Sequence, residues 1–144
     1  MIIMLIGSRL EYALKILVEL AIRRDEGLVT SKLIAQECGI PQNFMPQIAA
    51  ALSKRGWIKS TRGPHGGIML AADPDKISVN DVIEALEDRL VVKECLFAKK
   101  PCEQNKTCPL FPLWHKIQDR MMEVVEGTSV ADLARDKSIL AQKS

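Results

Sequence analysis

Between Thr30 and Leu70 the chain is punctuated so closely that few arrangements of it can form a core. Thr30 or Ser31 suits the cap of a short helix running through Glu37, with Leu33, Ile34 and Cys38 directed inward. Gly39 then supplies the left-handed residue that ends it. Another helix has to begin within a few residues, and Pro46 restricts where. Proline is harmless only among the first-turn amides that lack partners anyway. Asn43 as N-cap places Pro46 third in the helix, which then runs to about Arg55 and stops at Gly56. Its inner face is Phe44, Ile48, Ala51 and Leu52. Two short helices joined by a glycine turn read as a helix-turn-helix, a pattern that on its own also occurs without DNA.

The next residues strengthen that reading. Trp57 to Thr61 and Ile68 to Leu70 carry strand signals, separated by the turn sequence RGPHGG. A hairpin placed there is the wing of a winged helix, with Arg62 and His65 at its tip and Lys59 on the approach. Charge agrees. The whole chain carries only +2, yet residues 1–72 hold nine Lys/Arg against five Asp/Glu, and residues 73–144 hold eleven against thirteen. No acidic residue lies between Glu37 and Asp73, where Lys54, Arg55, Lys59 and Arg62 all fall. A locally basic segment in a nearly neutral chain suits a polyanion contact, the bland alternative being a solvated basic face. Gln42, Asn43 and Gln47, on the exposed start of the third helix, are the candidates for base edges. Lys54, Lys59 and Arg62 are assigned to phosphate or minor groove, and His65 is either a DNA contact or an ordinary exposed loop histidine.

Upstream, Leu10, Ala13, Leu14, Leu17, Val18, Ala21 and Ile22 recur at helical spacing from Ser8 to Arg24. Ser8 is the expected N-cap, and Glu11, Lys15, Glu19 and Arg23 form a solvent-facing ladder of i,i+4 pairs. Downstream, Ser78 and Asp81 predict a capping box on a helix with Val79, Val82, Ile83 and Leu86 inside. A long helix is expected from Pro112 to Val125, with Leu113, Trp114, Ile117, Met121 and Val124 forming a stripe most easily buried against a second copy. A short capped turn at VADLA and a polar, fraying tail close the chain. The expected class is mainly α: a winged helix-turn-helix domain over residues 1–77 with a small β-hairpin wing, then residues 78–144 with a metal-binding loop and a long C-terminal dimerisation helix. With six aromatics in 144 residues, aliphatic side chains must fill the core, which favours helices. The opening MIIMLI is too short to span a bilayer or to form a signal-peptide core, so a cytoplasmic protein without a membrane partner is expected. Two histidines and no Ser/His/Asp arrangement leave little for acid–base chemistry, and no enzyme is expected.

Chemistry concentrates instead in CLFAKKPCEQNKTC, where Cys95, Cys102 and Cys108 fall within fourteen residues among lysines and prolines. Unligated cysteine behaves as a small buried hydrophobe and has little reason to gather in a charged loop. Structural zinc sites draw on tighter pairs two residues apart. Wider spacing with three local thiols and a distant fourth ligand favours an iron–sulphur cluster, ahead of zinc or thiol-only switching.

The order EYALKIL, the helix pair, STRGPHGGIMLA, ISVNDVIEALE, three cysteines and PLW resembles the bacterial winged-helix regulators that include the iron–sulphur sensors IscR and NsrR, over about residues 8–134. That resemblance implies a homodimer, binding of a double-stranded operator by the third helix and wing, and a cluster near the dimer interface, 2Fe–2S in preference to 4Fe–4S. It also bears on the fourth ligand. The histidine that one branch places three residues after the third cysteine is Phe111 here. Other members use an acidic side chain of the first helix, donated by the partner subunit, and that position is Glu11, before Tyr12-Ala13-Leu14. A further position, before the glycine that ends the second helix, is Cys38. Glu11 is the first choice and Cys38 the alternative. Some members of such a family lack a cluster and respond through thiol oxidation or a partner protein, which is the competing expectation.

Overall fold

The computed structural model describes residues 7–93, 96 and 107–143. Six helices and one hairpin follow in order: α1 (Ser8–Ile22), α2 (Ser31–Cys38), α3 (Met45–Lys54), β1 (Ile58–Thr61), β2 (Gly67–Leu70), α4 (Val79–Ala85), α5 (Leu110–Gly127) and α6 (Val130–Gln142). The mainly helical fold with a small antiparallel hairpin is the one expected from the sequence.

The core is built around α1. Ala13, Ile16 and Leu17 are completely buried there, and Leu10 and Leu20 nearly so. Ile34 of α2, Ile48 and Leu52 of α3, Ile58 and Ile68 of the hairpin, and Val82 of α4 close over them as one cluster. At roughly 1.5–3 kcal/mol for each aliphatic side chain taken from water, this packing supplies the main driving force.

Glycine and capping residues shape the elements largely as read. Thr30 accepts a hydrogen bond from the Leu33 amide at 3.2 Å, and Gly39 ends α2 at φ 66°. Ser78 and Asp81 form the predicted capping box of α4. The start of α1 differs: Gly7 occupies the N-cap, with Ser8 already helical and making no capping bond.

Two expectations about the helices are corrected. The C-terminal segment is a thirteen-residue helix, α6, where a short turn and a frayed tail were expected. It begins with a second capping box, Ser129 with Asp132. Beside it the Val130 amide donates to Ile77 O and the Val79 amide to Thr128 O, both at 2.8 Å, so the starts of α4 and α6 are pinned together. Val130 is fully buried and α6 lies along α1. The second correction follows from the first. Glu19, expected on the solvent face of α1, has only 8% of its side chain exposed, because α6 covers that face. Its carboxylate accepts from Lys137 Nζ of α6 and from Arg23 Nε at 2.9 Å. Ile16 and Leu20 take core positions, and Ile22, expected inside, is exposed.

α5 behaves differently from every other helix. Of its residues only Gln118 is buried, and Leu110, Leu113, Ile117 and Val124 lie exposed on it.

Burial raises the Glu19 pKa, but the hydrogen bonds and charges of Lys137 and Arg23 outweigh it and hold the carboxyl below its ordinary value. A depressed pKa means stabilisation that is full above the unfolded-state value and is lost as pH falls through the folded one. Glu19→Gln is therefore expected to lower stability at pH 7 by about 1–3 kcal/mol. Thermal melts should also lose less stability than the native chain between about pH 5 and about pH 3. Equal acid sensitivity in the two proteins would contradict this role for Glu19.

Candidate functional site

The helix-turn-helix is formed by α2 and α3, and its connection carries the candidate base readers. Gln42 and Asn43 belong to a separate 3-10 turn, Gln42–Phe44, that precedes α3, whereas Gln47 lies on α3 itself. Asn43 is thus not the N-cap. A capping residue needs extended backbone, and here the Phe44 amide already donates to Pro41 O and the Met45 amide to Gln42 O, so the backbone is coiled before α3 begins. Pro46 consequently sits second in α3, still within the tolerant first turn. Phe44 meets the Tyr12 ring edge-on at 5.3 Å between centroids, which fastens the turn to α1. Gln42, Asn43 and Gln47 are all exposed.

The wing pairs Ile58 with Leu70, Lys59 with Met69, Ser60 with Ile68 and Thr61 with Gly67. A third segment joins this hairpin, because Val29 exchanges two backbone hydrogen bonds with Ile68, at 2.9 and 2.8 Å. Val29 immediately precedes Thr30, the cap of α2, so the wing is hydrogen-bonded directly to the entry of the helix-turn-helix. Gly67 permits the approach: a Cβ there would stand 2.5 Å from Val29 O. Lys54, Lys59, Arg62 and His65 are exposed, and Arg55 lies over the Trp57 ring at 5.7 Å. The junction encloses a groove lined by Thr30, Ser31, Ala49, Thr61 and Arg62, with no acidic side chain among its lining residues. From the sequence Ser31 reads only as a candidate cap and Thr61 only as a strand end, neither as a DNA contact. Only the Val29 bridge places the start of α2 against the wing, and an isolated pair at 29 and 68 leaves no pattern to read.

The metal-ligand candidates divide in two. Cys95 and Cys102 lie outside the described residues. Cys108 is described as a free, half-buried thiol, and its carbonyl accepts from the Phe111 amide in the first turn of α5. Phe111 meets His115 edge-on at 4.8 Å between centroids. Among the described residues no three His, Cys, Asp or Glu side chains come together as a metal site. The two fourth-ligand candidates, however, share one cleft of about 560 Å³ between α1, α2 and α6. Glu11 lines it together with Leu14, Lys15, Cys38, Leu133 and Lys137.

Their chemistry differs within that cleft. Glu11 is exposed and held only by an i,i+4 pair with Lys15 at 3.4 Å, an interaction worth about 0.3–0.5 kcal/mol. Cys38 is half-buried and its thiol donates to Lys15 O at 3.6 Å. Burial, then the Glu19 carboxylate, pushes the Cys38 thiol above its ordinary pKa, so it is held protonated at neutral pH. In donor chemistry the set fits a cluster, with three soft thiols within fourteen residues of sequence and an oxygen or sulphur arm in a separate open cleft.

The geometry defines a winged helix-turn-helix DNA-binding protein. Its sequence matches the Rrf2 family, described as iron-dependent transcriptional regulators, over residues 6–136, and the chain belongs to that family. It is 34% identical over 131 residues to the HTH-type transcriptional regulator CymR of Bacillus subtilis, covering 91% of this chain and 90% of that protein. The structure of CymR (YrzC), the global cysteine regulator of B. subtilis, superposes with a TM-score of 0.74 at 32% identity, covering 92% of this chain and 98% of that one. IscR of T. potens is similar too, with a TM-score of 0.72 at 29% identity, over 92% and 88% of the two chains. These relatives are transcription regulators, in keeping with the expectation that the chain is not an enzyme. No helix among the described residues is long and apolar enough to cross a membrane.

Gly67→Ala tests the wing junction. The added methyl drives the wing from Val29, so affinity for nonspecific duplex DNA at low salt is expected to fall about tenfold, equivalent to about 1.4 kcal/mol, with helical circular dichroism retained. Unchanged affinity would contradict the coupling of wing to α2.

Proposed function

We propose that this protein is a transcription regulator whose operator affinity is set by an iron–sulphur cluster held across a homodimer. Cys95, Cys102 and Cys108 of one protomer and Glu11 of the other would hold it. The observation that carries the proposal is the position of Glu11: an exposed carboxylate near the start of α1, the helix around which the DNA-reading core is packed. A ligand taken from α1 ties that core to the cysteine segment of the partner.

Glu11 is favoured over Cys38 on physical grounds. Recruiting it costs only a surface ion pair, whereas Cys38 must first lose a proton that its surroundings hold. A hard carboxylate in an otherwise thiolate-ligated cluster would also make a labile tie, which suits a sensor. When bound, the cluster supplies one-electron redox chemistry, and the remaining work falls to the chain. The exposed apolar face of α5 supports pairing with a second copy, because a stripe this bare otherwise stays in water. Gln42, Asn43 and Gln47 would read base edges, and Lys54, Lys59, Arg62, His65, Ser31 and Thr61 would meet phosphate or minor groove, a reading supported by their exposure. Release of the Glu11 tie lets the two DNA-reading units change separation, and dimeric helix-turn-helix proteins need half-sites about one DNA turn apart.

The likeness to CymR supports a second reading, in which thiol oxidation or a partner protein regulates without a cluster. The raised pKa argues against Cys38 as its reactive thiol, since the thiolate is the nucleophile.

The experiment is anaerobic reconstitution with ferrous iron and sulphide of the native chain, Glu11→Ala and Cys38→Ala. The native chain should turn brown. Glu11→Ala should lose the visible absorption or bleach in air about tenfold faster, as loss of one ligand-supporting interaction of about 1.4 kcal/mol would produce, while Cys38→Ala matches the native protein. An unaltered spectrum and lifetime in Glu11→Ala would remove Glu11 as ligand. A native chain that stays colourless would favour the second reading.

A further inference from the structure

The only buried residue of α5 is polar, and nothing about helix packing alone explains it. Gln118 is 5% exposed. Its Oε1 accepts from the Val92 amide and its Nε2 donates to Leu90 O, each at 2.8 Å. One side-chain amide thus engages both backbone groups of the segment that follows α4, much as a neighbouring strand would. Burying an amide is costly unless both its ends are paired, and here both are. An apolar side chain would join α5 to α4 without that condition. What the amide adds is register: a two-point bond fixes where residues 90–92 lie along α5.

The path into the clamp is also fixed. Glu87 adopts φ 59° just beyond α4, and the Asp88 amide donates back to Ile83 O at 3.1 Å. Val91, between the two clamped residues, is buried. Cys95 follows Val92 by three residues in the sequence, and α5 carries the exposed apolar face assigned above to a second copy.

We propose that Gln118 is a positioning residue that locks the approach to the cysteine segment onto α5, so that a change in that segment is delivered to the helix that pairs the protomers. The inference rests on the sensing function proposed above. Its mechanical part concerns only residues of this chain.

The test compares the native chain with Gln118→Met, close in length but able neither to donate to Leu90 nor to match the amide's acceptor, and with Gln118→Glu, which keeps the acceptor and loses the donor. Amide exchange is followed in metal-free protein over residues 88–93. DNA affinity is measured on a duplex selected by the native protein from a random pool, with the chain metal-free and again after anaerobic loading with ferrous iron and sulphide. Gln118→Met should exchange about tenfold faster over residues 88–93, as expected when a local protecting bond is lost. Its metal-free DNA affinity should stay within about twofold of native, while the ratio between loaded and metal-free affinities shrinks toward one. Gln118→Glu should fall between. Native exchange rates, or a native affinity ratio accompanied only by a lower melting temperature, would overturn the proposal and leave Gln118 a packing residue. If the native chain itself binds DNA equally in both forms, the sensing function fails first and the coupling role fails with it; exchange in the variants still tells whether the clamp exists.

Discussion

Everything in this molecule leans on the burial of α1. Ile16 and Leu17 have no exposed surface, and elements from both ends of the chain meet on that helix: α2, α3 and β2 from the DNA-reading part, α4 and α6 from beyond the wing. The burial extends to a charge. Glu19 is tolerated inside because Lys137 and Arg23 both reach it, and removing either partner would leave a carboxylate in a medium that penalises it. α1 therefore cannot shift without disturbing its neighbours.

α5 stands outside that arrangement. It leaves Leu110, Leu113, Ile117 and Val124 exposed, packs Val125 against the core, and meets the rest of the protomer mainly through α4 and the Gln118 clamp. One helix organises the protomer, and the other carries the exposed apolar residues proposed above to meet a second copy. The cysteine segment runs between them in sequence, from the end of the clamped residues to Cys108 at the foot of α5. A sensor proposed there would be joined to α5 on one side and, through the proposed Glu11 tie, to the core around α1 on the other.

Much of this was legible in the residues because it is encoded locally. The αL position at Gly39, the capping box of Ser78 with Asp81, and the strands flanking RGPHGG each depend on a few neighbours, and each appears where expected. Most of the misreadings come from distance along the chain, and Asn43 is the local exception. Glu19 sits on the polar side of α1 by periodicity, and only α6, more than a hundred residues later, makes that side an interior. Asn43 looks like a cap until the Pro41 and Gln42 carbonyls coil the backbone around it. The shared cleft of Glu11 and Cys38, and the groove joining Ser31 to the wing, arise from packing of separate elements and left no local signal. The three cysteines were legible from their clustering, the family resemblance supplied Glu11 and Cys38 as fourth-ligand candidates, and Cys95 and Cys102 fall outside the described residues.

Control of DNA binding by a metal centre in this chain can be measured directly. The most direct measurement takes one anaerobic preparation, determines iron and sulphide per chain, and titrates the same selected duplex before and after chelation has stripped the metal. Bound iron with matching sulphide, visible absorption, and an affinity change of at least about fivefold, the lower end of ordinary allosteric coupling, is the predicted result. A colourless chain holding zinc or no metal, with one affinity for DNA throughout, would contradict it.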